Sequence, residues 1–314
     1  MKIKLPRFRS LFLIRLSAIA AFLFLSGTSL AIYLASNRLL FPKKPALEKR
    51  HLQIIQNPQQ FGFHLTPFSV KTQDDIRIEA YLIAPSSRIS REKSRGTILM
   101  LHGISGIKEH NFAIAERFIA AGFYCITYDS RSHGESTGKF VTYGLKEVAD
   151  ASLILDEADL RFGQNLAPFG LFGISLGASV GLQLIPNDSR IQRAIIVSSF
   201  ANLETLIGEL SEKYLSRIGA KLFVRLLFWL TEKRTNLPFH QVSPIASAKA
   251  IDIPMMVVHG ENDPFTNINH SRQIHEAIPN KNKVWRVVSK GNHHQVLMQG
   301  GDELYREMVE FLKP

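Results

Sequence analysis

Sulfhydryl chemistry is almost absent from this chain, which holds a single cysteine, Cys125. A disulfide within the chain is therefore excluded, and no Cys/His cluster has the spacing of a zinc finger. Cys125 lies in the apolar run Phe123-Tyr124-Cys125-Ile126 and reads as a small buried core residue. Acidic residues are missing before Glu48. Residues 1–50 hold ten Lys or Arg against that one acid and so carry +9 of the net charge of +11. The other 264 residues balance 28 bases with 26 acids, too even a mixture for a polyanion-binding face, and this argues against a nucleic-acid partner. Internal repeats and low-complexity tracts are lacking. None of the eleven histidines shows the helical H-x-x-x-H spacing with a glutamate between, so neither metal nor cofactor is expected.

Charge is also absent between Arg15 and Arg38, where residues 16–37 run uncharged from Leu16 to Asn37. A helix of that length is roughly 33 Å long, enough to cross a hydrocarbon core. The alternative is a cleaved signal peptide, with Ser29 and Ala31 as the small residues before the cut, although such apolar cores are usually shorter. Five bases flank the run on each side, which leaves orientation weakly marked. The expectation is an N-terminal single-pass membrane anchor with the N-terminus in the cytoplasm and the large following domain on the extracytoplasmic side. Residues 1–45 then form tail, anchor and connector, and residues 46–314 the catalytic domain.

Beyond Pro42 and Pro45, the segments 68–72 and 76–80 alternate as a hairpin about a Gln73-Asp74-Asp75 turn. From Thr97 onward short apolar runs alternate with helical periodicity, the signature of βαβ units and a mostly parallel sheet. The spacing predicts strands at 97–101, 123–128, 169–173, 194–198, 254–259 and 283–288. Helices are predicted at about 110–121, 144–161, 177–185, 269–277 and 301–312. The stretch from Asn202 to Ala250 is far longer than one crossover needs, so it reads as an insertion. Its apolar centre, Lys221 to Leu230, is too short to span a bilayer; it reads as a helix buried against the sheet, or as a lid over an acyl-binding pocket or a surface dipping into lipid.

Phe169 to Ala178 runs as a strand into Gly173-Ile174-Ser175-Leu176-Gly177 and then into a helix. Such a G-x-S-x-G turn strains the serine and pushes its hydroxyl out over the sheet edge, and side chains in place of the glycines would collide with the neighbouring strand or helix. Leu176 opens the helix, so its N–H faces any oxyanion formed beside Ser175. These residues make the chain resemble the α/β-hydrolase superfamily over roughly residues 65–314, in particular its serine-aminopeptidase-like and bud-emergence-type members, which are often membrane-anchored.

The resemblance implies an α/β-hydrolase fold with the 202–250 insertion as a helical lid. Leu101-His102-Gly103-Ile104 matches the family's His-Gly element and implies Ile104 as one oxyanion donor beside Leu176. Asp129-Ser130-Arg131-Ser132-His133-Gly134-Glu135-Ser136 matches its D-x-R-x-H-G-x-S stretch, read as bracing loops at the sheet's carboxyl edge. In the run Val257 to Pro264, Asp263 matches the acid position, with Glu261 the nearest competitor. In Gly291-Asn292-His293-His294, the family's pattern selects His293 as the base, and His294 is the alternative. The implied activity is cleavage of an ester, thioester or amide through an acyl-enzyme on Ser175, with carboxylesterase or lipase-like chemistry on a lipophilic acyl substrate favoured. The alternatives are a catalytically silent, membrane-tethered binding protein and an acyltransferase using the same triad.

Overall fold

The computed structural model describes residue 17 and residues 26–86, 94–163 and 166–313. Eight strands form one sheet: β1 (Phe63–Lys71), β2 (Arg77–Pro85), β3 (Thr97–Leu101), β4 (Tyr124–Tyr128), β5 (Phe169–Ile174), β6 (Ile191–Val197), β7 (Met255–Gly260) and β8 (Lys283–Val288). Their order is β1-β2-β4-β3-β5-β6-β7-β8. The β1–β2 and β2–β4 pairs are antiparallel, and every pair from β4 to β8 is parallel. The hairpin is longer than the alternating residues suggested: pairing continues to Phe63 and Pro85, where both sides carry apolar residues and alternation fades.

Successive side chains on a strand point to opposite faces, and the apolar runs feed two cores accordingly. Leu99, Leu101, Met255 and Val257 enter one core; Ile98, Met100, Met256 and Val258 enter the other, which also buries Cys125. The second core is closed by α3 (Phe112–Ala120) and α10 (Val296–Leu312). Helices α4 (Glu147–Phe162) and α5 (Leu176–Leu184) pack on the first, with α9 (Ile268–Ala277) between β7 and β8. Element α10 is two helical stretches separated by a kink at Gly301, with φ 60° and ψ −164°; the second is the helix expected at about 301–312, and the first precedes it.

The segment 202–250 is helical. It contains α6 (Leu203–Glu212), α7 (Arg217–Thr235) and the short α8 (Pro244–Ala248), inserted between β6 and β7. Helix α7 buries Ala220, Val224, Leu227, Phe228 and Thr231, one stripe at helical spacing, against the first core.

Residues 26–40 form helix α1, ahead of α2 (Lys49–Gln56). Ile32, Leu39 and Leu40 of α1 are buried in the first core. Buried Ser36 hydrogen-bonds to Thr231 Oγ1 at 3.0 Å, and Tyr143 Oη donates to the Leu39 carbonyl at 2.9 Å. The C-terminal part of the uncharged run thus packs on the hydrolase body. Residues 16 and 18–25 of that run lie outside the described residues, and no helix among the described residues is long and apolar enough to cross a membrane.

Candidate active site

Ser175 sits at φ 54° and ψ −117°, between the end of β5 and the start of α5. Positive φ is costly for a residue with a Cβ, and this turn is held from both sides. The Ser175 N–H donates to Val197 O at 2.8 Å. A Cβ on Gly173 would lie 2.7 Å from Gly177 O, and one on Gly177 would lie 2.2 Å from Leu101 O. Both glycines are therefore required by backbone contact, the second because α5 starts against the carboxyl end of β3.

His293 Nε2 lies 2.9 Å from Ser175 Oγ, and His293 Nδ1 lies 2.6 Å from Asp263 Oδ2. An ionised carboxylate can only accept, so Nδ1–H donates to Asp263, which leaves Nε2 to accept the Ser175 hydroxyl proton. His294 is exposed and turns its ring against Phe265, 5.3 Å between centroids. Glu261 does not approach the imidazole; it accepts from Ser289 Oγ and Lys290 N, bracing the loop after β8.

The two loops that carry Asp263 and His293 meet through a pair of glycines. A Cβ on Gly260 would be 2.5 Å from Gly291 O, and one on Gly291 would be 2.9 Å from Gly260 Cα. The bare backbones let Asn262 N donate to Gly291 O at 2.8 Å, which fixes the spacing between the loops of Asp263 and His293.

Burial alone would raise the Asp263 carboxyl, but the His293 contact and two backbone donors together outweigh it. Phe265 N–H and Thr266 N–H each donate to Oδ1 at 2.9 Å and add to the effect, so the group is held below the usual aspartate range. Behind it stands fully buried His259, whose Nε2 is 2.9 Å from Thr266 O and 3.5 Å from Asp263 Oδ2 and whose Nδ1 is 2.7 Å from Ser271 Oγ. The residue pattern identifies His259 only as a strand-end histidine; its position behind Asp263 arises from the turn at Pro264 that folds Thr266 back.

Gly103 lies directly against Ser175: a Cβ there would be 3.3 Å from Ser175 Cβ. Ile104 follows it, and neither Ile104 N–H nor Leu176 N–H meets an acceptor among the described residues. The Leu176 N–H also opens α5, where the helix dipole is positive. Two histidines shape the loop that holds Ile104. His102 Nε2 accepts Ser130 N–H at 3.0 Å while its Nδ1–H donates to Gly103 O at 2.8 Å. His133 Nε2 accepts Ser105 N–H at 3.3 Å while its Nδ1–H donates to Arg131 O at 3.0 Å. Both roles require neutral rings. Burial, with the neighbouring His133, pushes His102 down to about 3, and burial lowers His133 as well.

The loop is pinned further along by Lys108, a buried cation absent from any motif in the sequence. Its Nζ lies 2.9 Å from Asp129 Oδ2, 2.7 Å from Glu135 and 3.1 Å from Glu109, and its N–H donates to Asp129 Oδ1. Burial opposes the charge on Lys108, yet the surrounding carboxylates hold its ammonium above its usual range. Arg131 forks onto Asp150 at 2.7 and 2.6 Å and reaches Asp74 at 3.0 Å, and Ser136 Oγ donates to Asp129 O. The Asp129–Ser136 stretch therefore braces the carboxyl edge of the sheet.

Residues 92–246 match the family profile described as serine aminopeptidase, S33. The chain is 22% identical over 251 residues to the Bacillus subtilis protein YqkD, covering 79% of each. It is 22% identical over 248 residues to the mouse lysophosphatidylserine lipase ABHD12, covering 72% of this chain but only 60% of that one. Among solved structures, the Pyrococcus furiosus esterase Pf2001 superimposes with a TM-score of 0.68 at 20% identity, over 88% of this chain and 97% of that one. The Pyrococcus horikoshii acylaminoacyl peptidase gives 0.60 at 18% identity, over 82% of this chain and 44% of the peptidase. Sheet order, the turn at Ser175 and these likenesses together show an α/β-hydrolase fold. It is an enzyme of the serine-hydrolase type, with esterases and peptidases as its relatives in fold.

Proposed function

We propose that this enzyme is a membrane-anchored esterase that cleaves lipophilic carboxylic esters through an acyl-enzyme on Ser175. One observation carries the reading: Ser175 Oγ, His293 and Asp263 form an unbroken hydrogen-bonded line at 2.9 and 2.6 Å. In that reading His293 Nε2 takes the Ser175 proton as Oγ attacks the ester carbonyl, and Asp263 stabilises the imidazolium. The Ile104 and Leu176 N–H groups receive the oxyanion, a contribution of about 10²–10³ in rate per donor. The imidazolium then passes its proton to the departing alcohol. Water enters, gives a proton to His293 and attacks the acyl carbon, releasing the acid and restoring Ser175.

A lipophilic substrate is supported by the apolar rim, where Ile104 and Phe265 are exposed beside the triad, and by the similarity to a lysophosphatidylserine lipase. Anchoring is supported by the part of the uncharged run 16–37 that precedes Ile32, the first of its residues buried on the hydrolase body, with the N-terminus in the cytoplasm and the hydrolase body outside it. The full chain should label with a fluorophosphonate and hydrolyse esters in a chain-length panel, and Ser175→Ala should do neither. Absence of labelling in folded wild-type protein refutes the reading. Protease treatment of intact and permeabilised cells tests the placement; protection of the hydrolase body until the cytoplasmic membrane is permeabilised refutes an external site.

A further inference from the structure

Helix α7 has a second apolar face that the fold leaves uncovered. Opposite its buried stripe, Ile218 is 83% exposed, Leu222 58% and Trp229 58%, with Leu226 between them. Positions 218, 222, 226 and 229 fall on one helical face. The helix is therefore apolar on two sides, and the sheet accounts for only one of them.

Charge around this outer stripe is of one sign. Arg217, Lys221, Arg225 and Lys233 are exposed, and none has an ion-pair partner among the described residues. The one acid of the helix, Glu232, is held by His240. A soluble protein partner is met by interface centres depleted in charge, especially lysine. A strip of Ile, Leu and Trp edged by unpaired cations instead has the composition of a helix lying in the surface of a bilayer.

Both ends of the stripe are tied to places that concern lipid. At its start, Lys213 donates from Nζ to Pro264 O, next to Asp263 and Phe265, so exposed Tyr214 and Leu215 begin beside the mouth of the site. At its end, Thr231 meets Ser36, while Arg234 donates to Ser36 Oγ and Asn37 Oδ1 at 2.7 Å each and lies over the Tyr33 and Phe41 rings. The stripe thus runs from the site to helix α1, which continues the uncharged run read as a membrane span.

We propose that the outer face of α7 lies in the surface of an anionic bilayer and that the site takes its acyl substrate from that lipid. The second half rests on the esterase reading; the first stands without it.

The test uses the full chain in phosphatidylglycerol–phosphatidylcholine vesicles with brominated acyl chains. The chain has two tryptophans, so Trp285→Phe leaves Trp229 as the reporter. Bromines near the headgroup end should quench Trp229 at least about twofold, because an interfacial helix sinks about 5–10 Å. Ile218→Glu with Leu222→Glu should abolish the quenching. The same pair should lower turnover of a long-chain ester embedded in the vesicles by roughly tenfold, the loss of an aliphatic side chain's burial. Turnover of a soluble butyrate ester should stay within about twofold, which shows that the variant folds. Unquenched Trp229 with normal butyrate turnover overturns the surface and spares the esterase reading. Quenched Trp229 with no turnover of either ester in wild type keeps the surface and overturns the substrate half. Self-association that the double substitution removes, with Trp229 unquenched, assigns the stripe to a second copy and also overturns it.

Discussion

One oxygen of Asp263 stands between two imidazoles, 2.6 Å from His293 Nδ1 on one side and 3.5 Å from His259 Nε2 on the other. Only the first can share a proton with it, because His259 Nε2–H is already committed to Thr266 O and its Nδ1 to Ser271 Oγ. The division predicts different variants. Asp263→Asn should keep the fold and lower kcat by about 10⁴, since the amide no longer fixes the tautomer that leaves Nε2 free. His259→Gln should lower kcat far less, and a steady-state comparison of the two on one soluble ester checks the order.

The glycine pair at the two loop bases makes a geometric prediction. Gly260→Ala puts a methyl 2.5 Å from Gly291 O, a backbone atom that can yield only if the loops separate. Folded protein with the Asp263–His293 contact opened is expected, and a 1 Å displacement of catalytic groups can cost about 10² in rate. Gly103→Ala makes a gentler contact of 3.3 Å with Ser175 Cβ and should cost less. Fluorophosphonate labelling rates measured beside circular dichroism separate the two effects.

Acid should destabilise the protein before its carboxylates titrate. His102, His133 and His259 are buried with their affinities for protons lowered, His102 to about 3, chiefly by burial. The unfolded chain binds protons on these residues near pH 6.5, the folded one only at lower pH. Stability is therefore full above about 6.5 and is lost as pH falls below it, by up to about 1.4 kcal/mol per pH unit for each histidine. Urea midpoints at successive pH values check this, and His102→Gln should flatten the slope. A midpoint independent of pH between about 6.5 and 5 sinks the assignment of neutral rings.

Two of the acids around Lys108, Asp129 and Glu109, are buried with it. Lys108→Met leaves Asp129, and much of Glu109, without a counter-charge in the interior, a loss on the order of 3–5 kcal/mol. Adding Asp129→Asn should recover part of that loss by removing a carboxylate. Denaturant titrations of the single and double variants provide the measurement.

The parallel strands were legible because each is a short apolar run between turn residues, and the nucleophile turn because Gly173 and Gly177 are dictated by backbone contact. Asp263 and His293 could be located by order along the chain, but choosing His293 over His294 depends on how the loop is pulled against Gly260, which local residues do not encode. The roles of Lys108 and His259 were hidden for the same reason: each is defined by a partner 21 residues away, or by a turn that folds back on it. The uncharged run from Leu16 to Asn37 is the instructive case. Apolar residues satisfy lipid and protein interior equally, so the pattern could not reveal that Ile32 and Ser36 pack on the hydrolase body.

That packing predicts the behaviour of a truncated enzyme. A chain starting at residue 46 lacks Ile32, Leu39 and Leu40, each buried, and each contributes roughly 1.5–3 kcal/mol by burial. It also strips Thr231 of Ser36 and leaves buried Tyr143 Oη without the Leu39 carbonyl, about 1–3 kcal/mol more for the unpaired hydroxyl. A chain starting at residue 26 keeps all of these contacts. The shorter chain should therefore melt well below the longer one and expose the inner face of α7, seen as binding of a hydrophobic dye and loss of ester turnover. Equal melting temperatures for the two would mean that α1 does not rest on the hydrolase body in solution.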